Sequence, residues 1–403
     1  MKKYLLTLSI ILCGLSVQSQ MTSTDSTTNE PLNSVNNIIR GNSGKAITLG
    51  TYAQIDYNQI YESDIYNNGK LDIHRMVIFL GYKFGDRTHF VTEIELEHVT
   101  EVYVEQAFLN YQILPQLNFR AGLMLIPMGI INEYHEPTTY NGVERPNIDG
   151  KIVPTTWREM GVGFAGNFPS YALKYQVYVV NGFNGYSNGT GVLRGSDAFR
   201  KGRQKAAESY MSSPNLSTKI DYYGLPGLKV GLAGYFGKSQ SELFDGLDKN
   251  DFAGNLQADS SVVNLSMIGL DARYELKGFK ARAQVISANI GNTKAYNTFT
   301  GKDLGAELFG YYVEASYDVL RLFNLDTKKE LNLFTRYEEY NTHHKVTDEL
   351  QKNTAYSRTD ITIGLGFKLT PGSVLKADYQ ILKNDDDTLA DINQLNFGVG
   401  VWF

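Results

Sequence analysis

The chain has 403 residues, with 38 Lys and Arg against 43 Asp and Glu, a formal charge of -5, or -7 if Lys2 and Lys3 are lost with a leader. That balance argues against nucleic acid as a partner. The single cysteine, Cys13, lies in the leader, so disulfide and thiol chemistry are excluded from the mature chain. A mean hydropathy of -0.28 and the lack of any later apolar run of about 20 residues exclude helical membrane spans.

In chain order, Met1-Lys2-Lys3, the apolar run from Leu5 to Leu15 and Val17-Gln18-Ser19 read as a signal peptide, residues 1–19. Leu12 stands where a lipoprotein would need a small residue. Residues 20–44, rich in Ser, Thr and Asn, read as a flexible periplasmic segment. From residue 45 onward period-two alternation predicts strands near 46–58, 70–84, 88–98, 102–113, 117–126, 155–166, 171–181, 213–223, 228–237, 261–276, 280–290, 308–319, 331–341, 355–369, 373–383 and 392–403. The fold class is therefore all-β. About sixteen strands of bilayer-crossing length read as a transmembrane antiparallel β-barrel over 45–403. The 27 Tyr and 38 Gly agree with this, since aromatics gather at membrane interfaces and glycines suit a crowded lumen.

The connections alternate as well. Gly85-Asp86-Arg87, Leu114-Pro115-Gln116, Asn167-Phe168-Pro169-Ser170, Leu225-Pro226-Gly227, Lys277-Gly278 and Thr370-Pro371-Gly372 are tight turns. The links at 59–69, 127–154, 182–212, 238–260, 291–307, 342–354 and 384–391 are mostly long and polar. Short periplasmic turns opposite long extracellular loops are the asymmetry of outer-membrane barrels, and put both termini in the periplasm. On descending strands the outward parity ends in Phe84, Tyr111, Phe164, Tyr222, Tyr274, Tyr317, Phe367 and Phe403, a lower aromatic girdle.

The other parity carries the charges, among them Arg75, Glu93, Glu95, Arg120, Lys219, Asp271, Arg273, Arg282, Glu314, Arg336, Glu338, Asp360, Lys376 and Asp378. Ionised groups at bilayer depth require a hydrated interior. Each is either a wall ion pair or part of a pore. The 127–154 link mixes apolar anchors, prolines and charges, a composition that folds somewhere specific. Folded inward, it would form a constriction where His135, Glu133, Arg145, Asp149 and Lys151 meet Arg75, Arg120 and Arg158; folded outward, it would be an extracellular lid. The cluster Arg194, Arg200, Lys201, Arg203 and Lys205 either concentrates anions at a mouth or is a solvated loop touching lipid phosphates.

The closing stretch Ile392–Phe403 alternates Leu395, Phe397, Val399, Val401 and Phe403 with Gln394, Asn396, Gly398 and Gly400. Its terminal Phe resembles the sorting signal of outer-membrane barrels. Leu49-Gly50-Thr51-Tyr52, Arg75 with Gly81-Tyr82-Lys83-Phe84, Arg120-Ala121-Gly122 to Pro127-Met128-Gly129, Trp157-Arg158-Glu159-Met160-Gly161-Val162 and Val180-Asn181-Gly182 resemble the phosphate-selective porin O and P family. Gln20 and Asn141-Gly142-Val143-Glu144-Arg145-Pro146 resemble its Bacteroidota branch. The resemblance implies a trimeric porin in a Gram-negative outer membrane, with anion selectivity from pore arginines. Here the wall arginines are interleaved with acids.

The reading is a porin passing small hydrophilic solutes, including anions such as phosphate, with outer-membrane lipid around it and no cofactor, metal or catalytic set. Its pore-lining candidates are Arg75, Arg120, Arg145, Lys151, Arg158, Arg273, Arg282 and Arg336. The alternative is a non-conducting structural or assembly subunit of a larger outer-membrane complex. A hydrolase would have to use His343-His344 with Asp348, or His135 with Glu133 and Glu136, and an active transporter with a plug needs a longer chain.

Overall fold

A computed structural model describes residues 46–62, 65–323 and 327–403. The expected signal peptide and the 20–44 segment lie outside the described residues. Among these, sixteen strands form one closed antiparallel barrel. They are β1 Ile47–Tyr61, β2 Lys70–Gly85, β3 Thr88–Glu97, β4 Glu101–Leu114, β5 Leu117–Leu125, β6 Arg158–Phe168, β7 Leu173–Val180 and β8 Asn215–Leu225, then β9 Leu228–Lys238, β10 Asn264–Leu276, β11 Phe279–Gly291, β12 Glu307–Asp318, β13 Glu330–Lys345, β14 Ser357–Thr370, β15 Ser373–Asn384 and β16 Ile392–Trp402. Each strand pairs with its neighbours in sequence, and β1 closes on β16 with Ile55 opposite Val399 and Tyr57 opposite Phe397. Closure removes the edge whose unpaired amides lipid would not satisfy.

Alternation divides the wall as its residues require. Met76, Ile78, Leu216, Ile220, Ile268, Leu270, Leu375, Phe397 and Val399 stand exposed on the outer surface, while Arg75, Lys219, Asp271, Arg336, Glu338 and Asp378 are buried on the inner one. An outer surface this apolar is covered by a membrane's hydrocarbon. No helix among the described residues is long and apolar enough to cross a membrane.

Two departures from strict alternation matter. In the β3–β4 pair Glu93 faces Gln106 and Ile94 faces Val104, so Glu105 is an extra residue, a β-bulge. The exposed parity accordingly switches from Val102 and Val104 to Leu109 and Tyr111, and Glu105 turns inward beside Gln106. The expected 155–166 strand begins instead at Arg158, because Trp157 is clamped into the neck of the preceding loop.

Candidate functional site

The loop between β5 and β6 folds into the barrel. Its neck is closed by Asn132, whose side chain donates to the carbonyls of Ile126 at 2.7 Å and Trp157 at 2.8 Å and accepts from the Trp157 amide at 2.7 Å. Gly129 and Gly142 sit at φ of +71° and +77°, where a side chain would be strained. A short helical turn, Ile148–Lys151, completes the inner arc. Met128, Ile130, Ile131, Ile148, Ile152 and Val153 are all almost fully buried.

The wall makes room where it carries inward glycines. A Cβ on Gly398 would meet Val143 at 2.9 Å, on Gly400 Pro137 at 2.8 Å, on Gly269 the Met128 sulfur at 2.8 Å, and on Gly310 both Ile148 and Ile152 at 3.0 Å. These glycines form the track on which the loop lies.

Polar groups of the wall then hold the loop's backbone. Lys219 donates to the carbonyl of Gly129 at 2.7 Å, Lys376 to that of Tyr140 at 2.9 Å, and Gln54 to that of Val143 at 3.2 Å. In the other direction the Ile130 amide donates to Gln284 at 2.8 Å and the Ile148 amide to Glu338 at 3.2 Å, and the Val143 amide donates to Asp378 at 2.5 Å. Side chains add Asn147 to Asp360, Asn141 to Glu314 and Asn58 to Glu144. A loop segment with its backbone groups so satisfied can stay at membrane depth.

The candidate residues fall into place around this loop. Arg75 donates to the His135 carbonyl at 2.7 Å and to Gln54 at 3.3 Å. Arg282 donates to the Thr139 carbonyl and lies 3.9 Å from Glu314. Arg336, fully buried, pairs with Glu338 at 2.8 Å and Glu314 at 3.4 Å and donates to the carbonyls of Glu144 and Arg145. Arg273 stacks on the ring of loop residue Tyr134 at 4.4 Å. Arg158 lies under the mouth, over Tyr103 at 5.6 Å. Arg145 is half-buried on the loop itself, and Lys151, ending the helical turn, is exposed. Arg120 stands apart from the loop anchors, bonded to Asn110 and Tyr178 at 3.0 Å each. It lines a cavity of about 320 Å³ beside the tight turns, with Asn110, Glu133, Lys174, Gln176 and Tyr178.

Asp149 and His135 are among the loop's electrostatically displaced groups. Burial pushes the Asp149 carboxyl up to about 7, against the opposing pull of its hydrogen bond from Gln284. Burial would lower His135, but Glu105 at 3.3 Å outweighs it and lifts the imidazole to about 9.

A second long connection, residues 182–212, caps the first. Arg200 donates to the Thr155 carbonyl at 3.0 Å, and Arg203 to those of Pro154 and Thr156 at 3.1 Å each. Arg194 is held by both oxygens of Asp197 at 2.8 Å. Phe183 stacks between Trp157 at 4.7 Å and Phe199 at 5.2 Å. Much of the basic cluster is thus spent on fastening the loops to each other.

Two of the histidines considered for hydrolysis have other partners. His343 is locked by backbone groups on both ring nitrogens, the Asp303 carbonyl at 2.6 Å and the Asn353 amide at 3.1 Å. His135 faces Glu105 and Glu93 of the wall. The sequence reading missed Glu105, because unbroken alternation counted back from Tyr111 points it at lipid. The signal was present in the apolar parity change between Val104 and Leu109.

No family model matches the chain. Over 344 residues, 83% of this chain and 75% of the other, it is 31% identical to an uncharacterized protein of Aquifex aeolicus (strain VF5). The chain belongs to that protein's family. Among solved structures, the outer membrane channel DcaP of Acinetobacter baumannii matches with a TM-score of 0.58 at 13% identity, over 89% of this chain and 97% of that one. The anion-selective porin from Comamonas acidovorans matches with a TM-score of 0.56 at 13% identity, over 89% and 99%. At this identity the likeness concerns the fold.

Proposed function

We propose that this protein is an outer-membrane porin through which small hydrophilic solutes diffuse passively. The observation that carries the reading is the β5–β6 loop folded into a sixteen-stranded barrel with a charged inner wall. A barrel of this strand number is wide enough for an aqueous channel, and an inserted loop narrows it to a constriction. The similarity to channels of the same fold supports the reading.

Anions such as phosphate are the favoured solutes in this proposal. Its support is the cavity beside the periplasmic turns, where Arg120 and Lys174 both contribute to the lining and Glu133 is paired with Lys219 at 3.1 Å. The porin O and P resemblance adds phosphate as the anion to try first. Assembly into homotrimers belongs to the same proposal, and mass measurement of the detergent-solubilised barrel tests it.

The test is conductance of the refolded protein in a planar bilayer under a salt gradient, with phosphate then added. Anion-selective current that phosphate blocks, weakened in Arg120→Gln, is the expected result. A second reading, a non-conducting subunit of a larger outer-membrane complex, is favoured by the near-complete burial of residues 126–140. A silent barrel would replace the first reading with the second.

A further inference from the structure

Glu93 on β3, Glu105 on β4 and His135 on the inserted loop converge at one buried point, with a ligand atom from each lying within 4.8 Å of the others. All three side chains are almost completely buried. In each, one polar atom is held by an orienting partner. Gln106 donates to Glu93 Oε2 at 2.7 Å, and the Tyr52 hydroxyl donates to Glu105 Oε2 at 3.0 Å. His135 Nδ1 lies 3.2 Å from the Asn132 carbonyl, the partner that makes Nδ1 the protonated nitrogen. Glu93 Oε1 and Glu105 Oε1 have no hydrogen-bond partner, and His135 Nε2 has only the ion-pair contact with Glu105 Oε2 at 3.3 Å.

Orphaned buried polar atoms are costly, and two carboxylates that each keep an unsatisfied oxygen beside one imidazole call for a shared occupant. Two carboxylates beside an imidazole call for a cation. An imidazole nitrogen oriented by a carbonyl on its far side is the outer arrangement of a metal-ligating histidine. In a tetrahedral site bonds of about 2.0–2.2 Å put donors about 3.3–3.6 Å apart, so closing a spread of up to 4.8 Å needs side-chain shifts of about 1 Å. The β-bulge adds a second sign, since it is the extra residue of β4 that turns Glu105 inward. The 320 Å³ cavity comes within one residue of the site, at Gln106, which donates to Glu93. Arg75, Arg158, Glu95 and Glu136 are charged neighbours of the cluster.

We propose that Glu93, Glu105 and His135 bind a divalent transition-metal ion, of the Zn²⁺ or Mn²⁺ class. One nitrogen and two oxygens suit these ions, whereas Ca²⁺ and Mg²⁺ take oxygen alone. The ion takes the position between the two carboxylates and the imidazole that a proton on Nε2 would otherwise hold. Because His135 belongs to the loop and both glutamates to the wall, the ion staples the loop to β3 and β4. The site does not depend on whether the barrel conducts.

The test uses untagged full-length mature protein, refolded in EDTA and then dialysed against Zn²⁺ or Co²⁺. Expected are one ion retained per chain, a visible Co²⁺ spectrum of nitrogen and oxygen ligation, and a higher unfolding midpoint with Zn²⁺ than with EDTA. His135→Gln and Glu93→Gln each weaken binding at least about tenfold. His98→Ala, which removes the exposed imidazole beside Asp72, leaves binding unchanged. No stoichiometric ion, or binding that survives H135Q and E93Q, or binding lost in H98A, overturns the site. If neither core variant folds, the wild type decides: X-ray absorption of the Zn²⁺-loaded barrel must show one imidazole nitrogen with carboxylate oxygens, and ligation by several imidazoles or by water alone overturns the proposal.

Discussion

Replacing Arg336 by Met tests whether the loop is held by the wall. Arg336 has no exposed surface and lies 2.8 Å from Glu338 and 3.4 Å from Glu314, with two loop carbonyls accepting from the same guanidinium. At an effective dielectric of about 20 the two attractions are about 6 and about 5 kcal/mol before desolvation is subtracted. Desolvation removes much of that gain, but losing one partner of a buried pair still costs about 3–5 kcal/mol, because it strands the opposite charges. R336M should therefore unfold at lower urea by that amount in lipid vesicles. The triple variant Arg336→Met, Glu314→Gln, Glu338→Gln strands no charge and should recover more than half the loss. In a planar bilayer R336M should also show larger and noisier current, since Glu144 and Arg145 lose their donor. Stability of R336M within about 1 kcal/mol of the parent, or a triple variant no better than the single, would refute the reasoning.

Crowding the glycine track should act by sterics alone: Gly398→Val drives a side chain into Val143 and should destabilise by about 1–3 kcal/mol while displacing the loop, read as a changed conductance. The pair Val143→Cys with Gly398→Cys brings two thiols into contact range and should form a disulfide on mild oxidation, visible as a reduction-sensitive gel shift; a loop that lies outside the barrel leaves both thiols free. Asp149 keeps its proton in the folded state up to about pH 7 but loses it near 4 when unfolded. The folded state thus binds more protons between those values, so its contribution is full below about pH 4 and lost as pH rises to about 7. Asp149→Asn should flatten that fall in urea titrations, and an unchanged slope would show the carboxyl to be ionised. Asn132→Ala removes three hydrogen bonds at the loop neck at once and should cost about 2–4 kcal/mol, measured by the same unfolding assay.

The barrel could be read from the chain because its two solvents differ. Lipid outside and polar groups inside impose period two on every strand, and a one-residue slip would expose charges such as Lys219 and Asp271 to hydrocarbon. That pressure acts strand by strand, so it is written locally, and the ends of the expected strands match those observed to within about four residues. Parity likewise told that Arg75, Arg282 and Arg336 point inward. It did not tell what they meet there.

What they meet is a loop, and where a loop goes is decided by contacts far apart in sequence. Gly398 and Gly400 are ordinary strand glycines until Val143 and Pro137 arrive against them. Arg336 reads as a pore arginine until it is found donating to the carbonyls of Glu144 and Arg145. The same holds for Glu105, which a single bulge carries from the lipid parity to the lumen, and for His135, which joins it only once the loop has folded in. Length, strand number, sidedness and the inward charges are properties of alternation and belong to the sequence. The filling of the lumen and the meeting of Glu93, Glu105 and His135 arise only when sixteen strands close and one loop turns inward.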